Sequence, residues 1–138
     1  MSVAPVRGYP EKVADAEEQL ALPAAPKAAG IARAFVRDKL SPAESTSTVD
    51  AVALCVSELV TNALDHAEPP FELRLAREQG RLRVEVSDAT SARPVRRHVE
   101  PTALRGRGLQ FVEQSARCWG VDPTSHGKIV WAEFSSAY

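Results

Sequence analysis

Three groups of residues in this chain have the types and spacing for chemistry. Glu58, Asn62 and Asp65 or His66 recur at i, i+4, i+7 or i+8, so on a helix they share one face and set an acid beside an amide. Gly106-Arg107-Gly108-Leu109 places two glycines directly before renewed helical spacing. Glycines there let backbone N–H groups approach a ligand, and a helix N-terminus favours an anion such as phosphate. Asp88 closes an alternating stretch and opens a long irregular one, where a carboxylate accepts a hydrogen bond from an exocyclic amine or caps a turn. Each group has an ordinary reading when taken alone: a solvated helix face, a loop end before a helix, and a turn.

The elements that must position these groups follow from periodicity. Val49, Val52, Ala53, Val56, Leu59, Val60 and Ala63 form the apolar stripe of a long helix. It opens at Ser47 with Asp50 in a capping-box arrangement and runs to about Ala67, before Pro69-Pro70. Before it, Ala28, Ile31, Ala32, Phe35, Val36 and Leu40 predict an amphipathic helix that ends at Pro42. A short strand is expected over residues 17–22. Phe71, Leu73 and Leu75, then Leu82, Val84 and Val86, alternate with polar residues around a turn at Glu78-Gln79-Gly80, which predicts two antiparallel strands. The inner face of that sheet needs a cover, and the two helices supply it. The fold class is therefore α+β, a two-layer sandwich of helices on one face of a mixed, mostly antiparallel sheet.

After Asp88 the period breaks for about twenty residues, 89–108, which hold five arginines, two prolines and one glutamate. Irregular stretches of that length in a compact domain are usually lids, binding loops or disordered segments. Leu109, Val112 and Ala116 restore helical spacing behind Gly108, and a strand pair over 119–122 and 128–134 closes the domain. Trp119 and Trp131 are expected to fill its core.

Composition narrows the class. The chain has 138 residues, 44% hydrophobic and 25% charged, which fits one globular domain. Residues 1–14 read as a flexible N-terminal tail and 15–138 as the domain. The net charge of −1 argues against nonspecific nucleic-acid binding. No apolar run approaches the eighteen or so residues that span a bilayer, and the start of the chain lacks the apolar region of a signal peptide, so a cytoplasmic protein without a membrane partner is expected. Cys55 and Cys118 sit in apolar helical patterns without CxxC spacing and read as buried thiols in a reducing compartment. His66, His98 and His126 are too scattered to form a metal ligand set.

Together the segments SELVTNALDHA (57–67), VSDATSARP (86–94), GRGLQFVEQSARCWGV (106–121) and GKIVWAEF (127–134) resemble the GHKL ATPase superfamily. More narrowly, they resemble the stand-alone histidine-kinase-like ATPase domains of anti-sigma factors, the serine kinases of bacterial partner-switching pathways. The resemblance covers about residues 15–135 and implies a Bergerat-type ATP-binding fold. It implies that Asn62 coordinates a Mg²⁺ ion bridging the phosphates of ATP and that Glu58 acts as general base toward a serine hydroxyl. An amide oxygen is a hard ligand suited to Mg²⁺, and a carboxylate one helical turn away can accept that proton. By the same resemblance Asp88 reads the adenine amino group, and Gly106 and Gly108, with Leu109, form the phosphate cradle. Arg105 and Arg107 either add phosphate contacts or are solvated loop arginines. The implied partners are a sigma factor and an anti-sigma-factor antagonist, with a homodimer as the working unit.

Three departures from the family pattern involve five positions. Ala89, Thr90 and Ser91 stand where glycines usually follow the aspartate, Asp65 stands where a basic residue is frequent, and Ile129 replaces a threonine in the last strand. These motivate the alternative: a catalytically inactive regulator, with or without bound nucleotide, that acts by partner contact. A kinase serving a pathway without a sigma factor is the other rival.

Overall fold

The computed structural model describes residues 16–41, 43–90 and 115–136. In order these are strand β1 (Ala16–Leu22), helix α1 (Ala28–Leu40), helix α2 (Thr46–His66), and strands β2 (Phe71–Glu78), β3 (Arg81–Asp88), β4 (Cys118–Pro123) and β5 (Lys128–Ser135). The strands form one sheet in the order β1-β2-β3-β5-β4, and every pairing is antiparallel. The two helices pack on one face of it, which is the expected α+β sandwich, with no parallel pair among the described strands. The expected helix behind Gly108 lies almost wholly outside the described residues, as does the 1–14 tail.

Alternation along the strands sets the two faces. Leu82, Val84, Val86 and Asp88 of β3 point toward the helices and are buried, while Arg81, Arg83 and Ser87 of the same strand lie on the other face, half-buried or exposed. Register carries the division across the sheet: Val84 opposes Leu75 on β2 and Ala132 on β5. The core joins these residues to Val36 and Leu40 of α1 and to Val52, Val56, Leu59 and Val60 of α2, all close to fully buried. Each such side chain contributes about 1.5–3 kcal/mol on leaving water.

The start of α2 differs from the sequence expectation. Its N-cap is Ser45 and not Ser47: the Ser45 hydroxyl accepts a hydrogen bond from the Thr48 amide at 3.1 Å. Ser45 holds an extended conformation, which a cap requires, whereas Ser47 is already inside the first helical turn. By length and composition α2 also passes as a bilayer-spanning helix, with mean hydropathy 1.3, because its polar face is short of charge. Half of that stretch is buried inside the fold, as befits a core helix.

Two polar links fix α1 against α2. The Arg33 guanidinium donates to the Ser57 hydroxyl at 2.7 Å, and Arg37 pairs with Asp50 at 2.8 Å. The first link holds the residue immediately before Glu58.

The tryptophans divide between the faces. Trp119 packs against the core, but Trp131 faces away from the helices, where it lies over Gly120 and under the Arg83 guanidinium, 4.3 Å from the ring centroid. A Cβ on Gly120 would come within 2.8 Å of that ring, so the glycine makes room for it. Arg83 also bonds Glu85 at 2.7 Å and Glu133 at 3.0 Å, and Arg74 joins Glu85 to Glu17, so a charged ladder crosses this face. Burial alone would lower the pKa of Arg83, but its bonds to the two carboxylates override that and raise it.

The cysteines also divide. Cys55 is fully buried on α2 and Cys118 is half-buried at the head of β4 rather than on a helix, its Sγ 3.6 Å from a Glu133 oxygen. Both are free thiols.

Candidate functional site

The site is built where the C-terminal end of α2 meets the C-terminal end of β3. Asn62 lies in the last two turns of α2 and is 9% exposed. Its Oδ1 is buried and accepts no hydrogen bond from the described residues. A buried, unsatisfied amide oxygen costs about 1–3 kcal/mol, and such groups are rare enough to call for an explanation. A hard oxygen donor without a partner suits Mg²⁺, which takes one or two protein oxygens and completes its shell from phosphates and water. Among the described residues no cluster of His, Cys, Asp and Glu could cage a metal by itself.

Glu58, one turn earlier, is half-buried on the same face. Its negative charge adds to burial in pushing the neighbouring Cys55 thiol up to about 12, with burial the larger cause. Asp65 and His66 are exposed at the end of the helix.

Asp88 is 7% exposed at the end of β3. Its Oδ1 accepts the Thr90 amide at 2.9 Å, an Asx turn, and its Oδ2 accepts from the Lys128 ammonium at 2.8 Å. This carboxylate caps a turn, one of its two expected roles, and each oxygen keeps a second lone pair for a further donor.

The turn is stapled to the segment that follows α2. The Ala89 amide donates to the Glu68 carbonyl at 3.0 Å, and the Glu68 amide donates to the Thr90 hydroxyl at 3.2 Å. The main chain just beyond Asn62 and the main chain just beyond Asp88 are thus held together by two hydrogen bonds. The Ala89 half of this link is main chain and any residue would make it, but the Thr90 half needs a hydroxyl, which a glycine at that position could not offer the Glu68 amide.

Gly127 completes the corner. A Cβ there would stand 2.0 Å from the Asp88 carbonyl oxygen and 2.8 Å from the Ala89 Cα. Only glycine allows β5 to begin this close to the end of β3.

Lys128 and Glu68 are not singled out by the sequence, and Thr90 stands out there only as a departure from the family pattern. For Lys128 a signal exists: it shares the alternation of Val130, Ala132 and Phe134, so it lies on the core face opposite Asp88. A cation and an anion at the ends of adjacent inward rows call for each other. Ile129, by the same alternation, lies on the other face, so the threonine it replaces does not open a gap beside Asp88. Arg105, Gly106, Arg107, Gly108 and Leu109 lie outside the described residues, and so does His98. His126 is exposed in the β4–β5 turn beside Ser125.

The sequence matches the family described as histidine kinase-like ATPase domain over residues 22–134, most of the chain. The chain belongs to that family. Among curated proteins none matches the sequence. A solved structure that it resembles is the crystal structure of the RsbU and RsbW domains of Rv1364c from Mycobacterium tuberculosis, with 20% identity and a TM-score of 0.66. The likeness covers 88% of this chain and 32% of that one, so the ATPase domain spans about a third of the neighbour's length. At that identity the likeness carries the fold. An ATPase domain of this family binds ATP, and the buried Asn62 on α2 and the buried Asp88 beside Gly127 are the polar groups that this end of the sandwich offers.

Proposed function

We propose that this ATPase domain is an anti-sigma-factor type regulator with serine/threonine-protein kinase activity toward an anti-sigma-factor antagonist, working with Mg²⁺ and ATP. The observation that carries the reading is the buried Oδ1 of Asn62, one helical turn beyond Glu58 and without a hydrogen-bond partner among the described residues. A bound Mg²⁺ supplies charge neutralisation at the phosphates. Asn62 holds it, Asp88 receives the adenine amino group, and Gly106, Gly108 and Leu109 offer main-chain donors, with Arg105 and Arg107 adding charge. Glu58 accepts the proton of the incoming serine hydroxyl. Phosphoryl transfer is mostly positioning and electrostatics, so these few groups suffice. A sigma factor and its antagonist are the partners in this reading, and the protein acts in the cytoplasm as a homodimer.

The test is transfer of the γ-phosphoryl group to a serine of the cognate antagonist. Glu58→Gln is expected to lower the rate by about a hundredfold or more, the usual contribution of a positioned base, with ATP binding kept. Undiminished transfer in Glu58→Gln contradicts the assignment of the base.

One observation favours the second reading, a regulator that binds partners without catalysis. Asp88 already holds two donors, Thr90 and Lys128. That reading predicts no transfer to any antagonist by the unaltered protein.

A further inference from the structure

The Lys128 ammonium lies 2.8 Å from Asp88 Oδ2, and the two side chains differ sharply in exposure, 27% for the lysine and 2% for the aspartate. The carboxylate is therefore dry and the ammonium sits at its outer edge. The pair joins cross-strand partners at the ends of β3 and β5, fixed by register and by the close approach of Gly127 to the Asp88 main chain. The lysine is thus held beside the carboxylate by the sheet itself.

A carboxylate alone selects bases by what it can accept. With the position-6 substituent of the purine directed at Asp88, the amino group of adenine satisfies it, whereas O6 of guanine in the same pose sets acceptor against acceptor. An ammonium beside the carboxylate changes the rule. It carries three donors on a flexible stem and spends one on Asp88. Guanine presents O6 as an acceptor next to N1–H as a donor, and a cation–carboxylate couple offers the complementary pair.

We infer that Lys128 is a specificity-determining residue: with Asp88 it forms a donor–acceptor couple that admits guanine nucleotides as well as adenine nucleotides. The inference rests on the reading above that Asp88 meets the base. The competing role, neutralising a buried carboxylate, needs only the charge of Lys128 and does not distinguish one purine from another.

The experiment is displacement of fluorescent mant-ADP, in the presence of Mg²⁺, by ADP, GDP and IDP. It uses the full chain and the variants Lys128→Met and Lys128→Arg. In the unaltered protein GDP and IDP are expected to compete within about tenfold of ADP. Lys128→Met is expected to weaken GDP relative to ADP by about tenfold or more, the loss of one charge-assisted hydrogen bond, while Lys128→Arg keeps the ratio. The reading is the ratio within each variant, so a general loss of stability does not imitate it. If Lys128→Met does not fold, the ratios of the unaltered protein and of Lys128→Arg still decide. The inference is overturned if ADP displaces the probe and GDP fails at a hundredfold excess, or if Lys128→Met weakens both purines equally. ADP-only binding leaves the proposed function standing, whereas no binding of any nucleotide removes both.

Discussion

The turn at Gly127 touches the main chain of Asp88 so closely that a Cβ would fall 2.0 Å from the Asp88 carbonyl oxygen. The obstacle is backbone, which cannot swing aside as a side chain can. Gly127→Ala must therefore displace the end of β3 and Asp88 with it. The expected result is a loss of about 1–3 kcal/mol in urea unfolding, the range for overpacking, together with weaker nucleotide binding. Gly30→Ala, inside α1 with only the tip of Arg33 at 3.5 Å, is the matched control and should raise stability by about 0.5–1 kcal/mol.

Thr90 ties the Asp88 turn to the segment after α2 through its hydroxyl. Thr90→Val keeps the shape and removes the acceptor of the Glu68 amide. The loss should be about 1 kcal/mol, with a severalfold fall in ATP affinity as the Asp88 turn loosens. Urea midpoints and calorimetric affinities measured on the same preparation check both parts.

Cys55 gives a pH dependence with a definite sign. Burial first, and the charge of Glu58 second, push its thiol up to about 12 in the folded protein. In the unfolded chain the thiol ionises near 9.0, so above that pH the unfolded state binds fewer protons and stability falls. The contribution of Cys55 is intact below pH 9 and declines toward 12, with a slope approaching about 1.4 kcal/mol per pH unit. Urea unfolding at several values of pH, compared between the unaltered protein and Cys55→Ala, should show a shallower decline in the variant. In the native protein near neutral pH a thiol reagent should reach Cys118 before Cys55, because Cys118 is half-buried and Cys55 fully so.

Much of this arrangement is legible in the sequence because it follows from periodicity. The stripe from Val49 to Ala63 and the alternation around Glu78-Gln79-Gly80 specify the two layers, and Gln79 and Gly80 both take the positive φ that a two-residue hairpin turn needs. Glu58, Asn62 and Asp88 are likewise found from spacing and motif order. What sequence spacing conceals is contact between distant segments. The pairing of Lys128 with Asp88 depends on β5 lying beside β3, an order that chain position does not give. The Ser45 cap competes with Ser47 two residues away, and only backbone conformation separates them. Trp131 looks like a core residue by type, yet its place in the alternation puts it on the outer face, where Gly120 and Arg83 enclose it.

In the proposed function the Asn62 Oδ1, which has no partner among the described residues, is a working Mg²⁺ ligand in an ATP site. Calorimetric titration of ATP with and without Mg²⁺, on the unaltered protein and on Asn62→Ala, tests it directly. The expected result is Mg²⁺-dependent binding that Asn62→Ala abolishes, with the variant as stable as the unaltered protein or more so, because the substitution removes a buried oxygen that has no partner among the described residues. Binding that is indifferent to Mg²⁺ and to the substitution, or no binding at all, would contradict it.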